Sequence, residues 1–307
     1  MLSKEEITEQ FKLLQDGICA ALENEDAGAK FTEDNWTREE GGGGRTRIVQ
    51  HGNVIEKGGV LFSAVHGPIP DFLKNESKDV SLSNATFYAT GVSIVIHPSN
   101  PFVPIIHMNI RYFEILPAGG QGSNGVFWFG GGIDLTPHYV NNEDAAFFHN
   151  ALKKACDKHH PSYYPEYKKW ADDYFFIKHR NETRGIGGIF FDKLMLDKGT
   201  SKKELFDFVM EVGNTFAPTY TSLMNKNKSK SFTEANKQWQ MLRRGRYVEF
   251  NLVYDKGTKF GLETNGRTES ILMSLPENAG WLYNYIPAIG SDEENTISVL
   301  KKGINWL

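Results

Sequence analysis

The sequence has only two cysteines, Cys19 and Cys156, and they lie too far apart to form a CxxC pair. This spacing excludes a cysteine-based zinc or iron–sulfur site and is typical of a protein from a reducing compartment. No apolar run approaches the ~18 residues that a transmembrane helix needs. The N-terminal stretch MLSKEEITEQ is acidic and lacks both a signal-peptide core and an arginine-rich transit pattern. We therefore expect a cytoplasmic protein without a transmembrane segment.

An excess of basic charge and the common nucleotide-binding or hydrolase motifs are also missing. With 34 Lys and Arg against 38 Asp and Glu, the net charge of −4 argues against nucleic-acid binding. The run GGGGRT at 41–46 lacks the spacing of a P-loop, and it is interpreted as a turn. The motifs GxGxxG, GxSxG and HExxH do not occur, which excludes the common dinucleotide-binding and hydrolase signatures.

The periodicity of apolar residues predicts a single α+β domain over residues 1–307. Helical spacing predicts an N-terminal helix within 1–30, further helices between 145 and 216, and a short one after Ser291. Strands are expected at 31–97 (several short ones), 105–135 (two), 247–254, 259–263 and 269–275. Strands joined by hairpins, with the helices grouped between them, indicate a large and mostly antiparallel sheet.

The segment from Ile105 to Phe113 alternates between two kinds of side chain. With a strand period of two, His107, Asn109 and Arg111 lie on one face and the intervening apolar residues lie on the other. Arg111 carries a permanent charge on a planar fork that suits a carboxylate, and the imidazole of His107 can donate or accept a proton. Convergent polar groups of this kind indicate a functional face, although a lone strand histidine is more often structural.

A second strand continues into the sequence WFGGGIDLTP at 128–137. Three consecutive glycines weaken a strand, because glycine loses more backbone entropy than other residues and offers no side chain to pack. They are expected where a bulky group approaches the backbone closely, so the pattern predicts a cavity with a glycine floor. Asp134 lies just beyond the glycines and is a candidate acidic group of that cavity. The alternative interpretation is that Asp134 caps the turn at 135–137.

The histidine pattern leaves a metal site as a minor alternative. His97, His149 and His179 join His107 as candidate ligands, but their spacing is wide and each lies on a different predicted element. No motif of two histidines and one carboxylate stands out, so the pattern favours structural roles over a metal site.

The stretch KHRNETRGIGGIFFD at 178–192 is dense in charge and then in glycine. Its basic and amide groups are compatible with a pocket for an anion, in which Arg184 is a candidate cation. They are equally compatible with a helix C-terminus, where His179 and Arg180 favour the dipole and Gly185 ends the helix.

The predicted strand 247–254 carries apolar or aromatic residues on both faces. Because an exposed strand of this kind risks edge-to-edge aggregation, the pattern predicts a subunit interface that contains Leu252. We therefore expect a homodimer. Further along, Arg267 follows an Asn-Gly turn and is a second fixed cation, distant in sequence from Arg111.

Long segments of the chain resemble the oxygen-dependent coproporphyrinogen III oxidases of haem biosynthesis. These segments are GVSIVIHPSNPFVP at 91–104, HMNIRYFE at 107–114, FWFGGGIDLTP at 127–137, YYPEYKKWADDYFFIKHRNETRGIGGIFFD at 163–192 and RRGRYVEFNLVYDKGTKFGLETNGRTESILMSLP at 243–276. The resemblance extends, in order, from about Phe31 to the C-terminus. The departures are Asn265, Phe127 and Lys193, at positions where the family commonly has a small residue, Trp and Asp.

The resemblance implies a large antiparallel sheet flanked by helices on both faces, in a homodimer whose dimerisation segment is 247–282. It implies that His107 is a proton donor, that Asp134 is an acid that engages the pyrrole nitrogens of the substrate, and that Arg111 acts beside them. The substrate-binding residues that it implies are Ser93, Asn109, Ile110, Arg111, Asn265, Gly266 and Arg267.

The implied reaction is oxidative decarboxylation of two propionate side chains of coproporphyrinogen III to vinyl groups, which gives protoporphyrinogen IX. Dioxygen is the co-substrate, carbon dioxide and hydrogen peroxide are released, and no cofactor or metal is required. Arg111, Arg184 and Arg267 are the candidate cations for this tetra-anionic substrate. Two alternatives are a metal-dependent oxygenase that uses the histidines, and a carrier that binds a tetrapyrrole without turnover.

Overall fold

A seven-stranded antiparallel sheet forms the centre of the molecule. The computed structural model describes residues 2–69, 84–117, 125–197, 199–263 and 266–307, and orders the strands β1-β2-β3-β4-β5-β6-β9. Their bounds are β1 Thr32–Thr37, β2 Gly42–Gln50, β3 Ile55–Pro68, β4 Thr86–Pro98, β5 Ile105–Leu116, β6 Val126–Thr136 and β9 Gly188–Leu194. A separate two-stranded sheet pairs β7 Phe176–Ile177 with β8 Glu182–Thr183. All pairs are antiparallel, which confirms the predicted sheet type.

Helices cover both faces of the sheet. Within the described residues they are α1 Lys4–Asp26, α2 Asn142–Asp157, α3 Tyr163–Tyr174, α4 Lys202–Asn227, α5 Glu234–Val253, α6 Lys256–Glu263, α7 Thr268–Leu272 and α8 Asp292–Val299. On one face α1 contacts β3 and β4, and α4 contacts β5 and β6. On the other face, Tyr247 of α5 packs against Val95 and Ile105. The predicted α+β fold with helices on both faces is confirmed, and none of these helices is long and apolar enough to cross a bilayer.

The N-terminal helix shows why the sequence folds in this way. Ser3 and Glu6 form the predicted capping box, in which each side chain bonds the backbone N–H of the other residue. Ile7, Phe11 and Ile18 then recur at helical spacing and are buried against the sheet. Each such side chain contributes roughly 1.5–3 kcal/mol of transfer free energy, so the apolar stripe fixes this helix on one face.

The two faces of β5 differ in the way that its alternation predicts. Met108 and Ile110 are fully buried beneath the helices α1 and α4. His107, Asn109 and Arg111 lie on the opposite face and are partly exposed. We call this second face of the sheet, which also carries Ser93, the site face.

Residues 247–253 are helical and Tyr254 is the C-cap of the helix, so the predicted strand 247–254 is wrong. They form the end of α5, in which Trp239, Arg243, Tyr247 and Phe250 are buried at spacings of three and four residues. The alternation matched a strand only because further apolar residues, including Leu252, lie on the exposed side of this helix. The argument that an exposed strand edge requires a dimer is therefore wrong as well.

Three other local predictions are also corrected. The segments 259–263 and 269–275 fall largely within the helices α6 and α7. Asp255 lies at the start of α6, where its Oδ2 accepts the backbone N–H of Thr258. The glycine run at 41–44 largely belongs to β2, with positive φ at Gly41 and Gly42 only.

Candidate active site

One row of neighbouring residues crosses the whole sheet on the site face. Strand register places these residues side by side from β1 to β9: Asp34, Thr46, Leu61, Ser93, Asn109, Gly132 and Phe190. Because adjacent strands lie about 4.8 Å apart, Asp34 and Asn109, four strand spacings apart, are separated by about 19 Å. The register brings Ser93 and Asn109 together, as neighbours on β4 and β5.

His107 lies opposite Asp134 in the register of β5 and β6. Nδ1 of His107 is 2.8 Å from Oδ1 of Asp134. Nη2 of Arg184 donates to both oxygens of the same carboxylate, at 2.7 and 2.8 Å. The side chains of Asp134 and Arg184 are 1% and 2% exposed, whereas that of His107 is 21% exposed. Of these three groups, only the imidazole is open to a ligand on the site face.

The charge of Asp134 determines which nitrogen of His107 carries a proton. Burial alone would raise the pKa of the Asp134 carboxyl, but the charge of Arg184 and the hydrogen bond from His107 outweigh it and hold this pKa below its ordinary value. Asp134 is therefore an acceptor at neutral pH, and Nδ1 of His107 must be the donor. The Nε2 atom is left as the nitrogen that can exchange a proton with a ligand.

Arg184 is enclosed by protein. Its guanidinium lies 4.5 Å from the ring of Phe175 and 4.7 Å from those of Tyr247 and Phe250, and Nη1 donates to Asn251 at 2.8 Å. The expectation that Arg184 binds a substrate carboxylate is therefore wrong, because its charge is committed to Asp134. The resemblance implies that Asp134 engages the pyrrole nitrogens, but in the structure its carboxylate is buried and both of its oxygens accept from Arg184.

Arg111 is the most exposed cation at the centre of the site face, with 36% of its side chain accessible. Its Nη1 donates to Oδ1 of Asn109 at 3.0 Å, and its Nη2 donates to Oδ1 of Asp192 at 2.8 Å. Two of its five N–H donors are used in this way, which leaves the others for a carboxylate ligand.

The glycines of β6 make room for side chains of the site. A Cβ at Gly130 would lie 2.6 Å from Oδ1 of Asp192 and 2.8 Å from Nη2 of Arg111. A Cβ at Gly132 would lie 3.0 Å from the ring of Phe190. At Gly130 the group that approaches the backbone closely is therefore the Arg111–Asp192 bridge of the protein itself, and the predicted cavity with a glycine floor stays a prediction.

The resemblance implies that Ile110 binds the substrate, but its side chain does not lie on the site face. It is fully buried in the core on the helix-covered face, since it alternates with Asn109 and Arg111 along β5. Ser93, by contrast, is partly exposed on the site face beside Asn109.

Arg267 lies at the far edge of the site face, where it forms an ion pair with Asp34 of β1. The hydroxyls of Thr46 and Ser270, 3.2 Å apart, hold the same segment against β2. Arg267 is thus about four strand spacings from Arg111, and the structure does not bring the two cations together. Gly266 precedes Arg267 in this segment, and Asn265 lies outside the described residues.

Aromatic side chains on the site face were missed by the sequence analysis. Phe113 stacks on Trp128 with ring centroids 4.5 Å apart, and Phe87 stacks on Phe113 at 5.6 Å. The strand period of two could have placed them on this face, because Phe113 lies two residues after Arg111 and Trp128 lies two residues before Gly130. The site face therefore grades from polar at His107 to aromatic at Phe113.

The histidines weighed as metal ligands lie in separate surroundings. His97 bonds the carbonyl of Ser274, and burial lowers its pKa to about 3. His149 bonds a tyrosine and a backbone carbonyl, and burial lowers its pKa to about 4. His179 contacts Glu249 near the surface. In the part of the chain that the structure describes, no three His, Cys, Asp or Glu side chains form a group that could hold a metal ion.

Comparisons with known proteins point to one family over nearly the whole chain. The family model described as Coproporphyrinogen III oxidase matches residues 6–306. The oxygen-dependent coproporphyrinogen-III oxidase of Drosophila melanogaster is 50% identical over 304 residues, which cover 96% of this chain and 76% of that protein. The mitochondrial protein of that name from Homo sapiens is 51% identical over 297 residues, 94% of this chain and 64% of that protein. Coproporphyrinogen-III oxidase 1, chloroplastic, of Arabidopsis thaliana is 48% identical over 298 residues, 95% of this chain and 76% of that protein.

Proposed function

This chain belongs to the coproporphyrinogen III oxidase family, and we propose that His107, positioned by Asp134, carries protons for its reaction on the site face. The enzyme is an oxygen-dependent oxidoreductase of haem biosynthesis. It converts coproporphyrinogen III to protoporphyrinogen IX by oxidative decarboxylation of two propionate side chains to vinyl groups. The family, fold and activity that the sequence motifs imply are confirmed.

The stoichiometry of each decarboxylation defines what the protein must supply. One C–H bond breaks at the carbon attached to the pyrrole, the bond to the carboxylate breaks, and a carbon–carbon double bond forms. The substrate loses carbon dioxide, two electrons and one proton, while dioxygen takes up two electrons and two protons to become hydrogen peroxide. One further proton is needed for each decarboxylation, and we assign its delivery to Nε2 of His107.

The hydrogen-bonded series His107–Asp134–Arg184 is the observation that carries this assignment. Asp134 holds the proton of His107 on Nδ1 and orients the ring, so we assign to its buried carboxylate a positioning role that acts through His107. Arg184 keeps Asp134 ionised in a buried place. Because the reduced tetrapyrrole supplies the electrons, the proposal requires no cofactor, and the protein contributes orientation and proton transfer.

Two partly exposed arginines on the site face are proposed to bind substrate carboxylates. Arg111 lies beside Asn109 and Ser93 near the centre, and Arg267 lies at the edge near β1, next to Gly266. A substrate with four propionates presents carboxylates on several sides of the macrocycle, so cations at two distant points can hold it at once. The stacked rings of Phe113 and Trp128 add apolar surface at one end of the same face.

Turnover of the porphyrinogen in air, under anoxia and with a chelator tests this function. We expect turnover only in air and no effect of the chelator. The variant His107→Gln should bind the substrate but lose about 10²–10⁴-fold in kcat, while His160→Gln, at an exposed histidine that bonds Ser162, should retain full activity. Loss of turnover with the chelator and its recovery with added metal would favour the metal-dependent alternative. Binding without turnover in air would favour a carrier.

We also propose that the enzyme is a homodimer. Large apolar side chains are exposed together in the segment after α7: Trp281, Leu282, Tyr283, Ile286 and Ile289. Contiguous exposed apolar surface of this kind is typical of a protein interface. This segment overlaps the end of the dimerisation segment 247–282 that the family resemblance implies, and a second copy of the chain is its proposed partner.

We also propose a cytoplasmic location for the enzyme. Cys19 and Cys156 are both unpaired and buried, which fits a reducing compartment. The names of the human and Arabidopsis relatives assign those proteins to mitochondria and chloroplasts. Fractionation of cells that express the tagged full-length chain would decide between these locations.

A further inference from the structure

A β-bulge lies at the edge of the site face. The register of β6 and β9 shifts between Phe129 and Gly131, so that Asp192 and Lys193 lie opposite Gly130 alone. Lys193 has a φ of 50°, in the left-handed region that side chains other than glycine rarely adopt. Bulges of this kind redirect a side chain out of the regular alternation of a strand.

The bulge directs the carboxylate of Asp192 at Arg111. Oδ1 of Asp192 accepts the backbone N–H of Lys193 at 2.9 Å, which fixes the carboxylate, and accepts Nη2 of Arg111 at 2.8 Å. The absence of a side chain at Gly130 leaves the space that this bridge crosses. On its other side, Nη1 of Arg111 is held by Asn109. The positive φ of Lys193, the bulge and the glycine at position 130 together allow the contact between Asp192 and Arg111.

We infer that Asp192 is a positioning residue for Arg111. With both terminal nitrogens held, the guanidinium plane is fixed, and its free N–H groups face a propionate in one orientation. Without Asp192 the long arginine side chain would have to be ordered by the substrate, at a cost in binding free energy. This inference rests on the proposed contact between Arg111 and a substrate carboxylate.

The charge of Asp192, taken alone, predicts the opposite change in substrate affinity, so the direction of the change tests the inference. Asp192 places a negative charge beside the binding site of a polyanion, so simple electrostatics predicts tighter binding when Asp192 is removed. Positioning predicts weaker binding. Because binding through Arg111 acts equally on ground state and transition state, the change is expected in KM and not in kcat.

Steady-state kinetics of the full-length enzyme with coproporphyrinogen in air provide the test. We expect Asp192→Ala to raise KM by about tenfold, with kcat within about threefold of the wild type. Asp192→Asn retains an oxygen acceptor and should restore part of the loss. Asp207→Ala is the matched control, since Asp207 pairs with Lys203 on α4, across the sheet from the site face. Circular dichroism and melting temperatures verify that each variant is folded.

A double-mutant cycle separates positioning from a general structural role. If Asp192 acts through Arg111, the variant Arg111→Ala/Asp192→Ala should have the KM of Arg111→Ala alone. If the effects of the two substitutions on KM are additive, the inference is overturned. It is also overturned if KM is unchanged or lower in Asp192→Ala while it is raised in Arg111→Ala. In both cases the proposed contact between Arg111 and a substrate carboxylate stands. An unchanged KM in Arg111→Ala overturns the proposed carboxylate contact and the inference with it.

Discussion

Replacement of Asp134 by alanine is expected to destabilise the fold as well as to abolish turnover. The change leaves Arg184 as a buried charge whose remaining partners are Asn251 and aromatic rings. Removal of one member of a buried ion pair typically costs about 3–5 kcal/mol. Folded domains are stable by only about 5–15 kcal/mol, so a loss of this size should shift the urea midpoint strongly.

The variant Asp134→Ala/Arg184→Met distinguishes the lost pair from a lost side chain. It removes both charges and fills part of the space, and it should recover most of the stability, because apolar replacement of a buried pair is often close to neutral. Turnover should stay lost, since His107 has no orienting partner. Urea unfolding gives the free energies. A single variant within about 1 kcal/mol of the wild type, or a double variant as unstable as the single one, would refute the reasoning.

The same carboxyl gives a pH dependence whose sign is fixed by its lowered pKa. Since the pKa of Asp134 is lower in the folded state than in the unfolded chain, its stabilising effect is complete above the ordinary value of about 3.9. It is lost as the pH falls through the folded pKa. The wild type should therefore lose stability below about pH 4 more steeply than Asp134→Ala/Arg184→Met, as measured by urea unfolding at each pH.

Three further outcomes are expected. Burial holds the pKa of His97 at about 3 against an ordinary 6.5, so the neutral form stabilises the fold above pH 6.5 and that stability is lost as the pH falls towards 3. His97→Phe should reduce the slope of the unfolding free energy by up to about 1.4 kcal/mol per pH unit in this window, and an unchanged slope would contradict the burial. Arg267→Ala should raise KM by the equivalent of about 1.5–3 kcal/mol, and an unchanged KM would count against a carboxylate contact there. Tyr283→Arg should dissociate the proposed dimer, as measured by sedimentation velocity. Leu252→Arg, on the exposed side of α5, should leave the protomer folded. A wild-type enzyme that is monomeric and fully active would contradict the proposed dimer.

The sequence predicted β5 and its functional face correctly because the two sides of this strand have opposite environments. One side is buried under helices and the other is open, so the hydrophobic pattern follows the strand period without exception from Ile106 to Tyr112. At α5 the pattern is mixed. Arg243 and Arg244 are buried as well as Tyr247, while Leu252 and Val253 are exposed, so the apolar residues alone do not mark the face that packs against the protein. The alternation of apolar residues over 247–254 therefore matches the period of a strand, although the segment lies at the end of a helix.

The partners of the site residues could not be predicted because they come from distant parts of the chain. Asp134 and Arg184 are 50 residues apart, and Arg111 and Asp192 are 81 apart. The sequence indicates that each charge exists, and its local pattern indicates the face of the strand, but the pairing depends on where β9 and the segment before it meet β6. The resemblance to a family singled out His107 and Asp134 and did not reveal that Arg184 neutralises the acid.

The row of residues from Asp34 to Asn109 fixes the distances between the points at which the sheet can hold a ligand. Every strand in the row is hydrogen-bonded to the next, so the distance between groups anchored on it changes only by a whole strand, about 4.8 Å across the sheet, or by two residues, about 6.8 Å along it. Intermediate distances are reached only through side-chain length. A macrocycle with carboxylates at a different spacing would therefore require an anchoring residue on another strand, and a longer or shorter side chain at Arg111 would adjust the fit only within one such step.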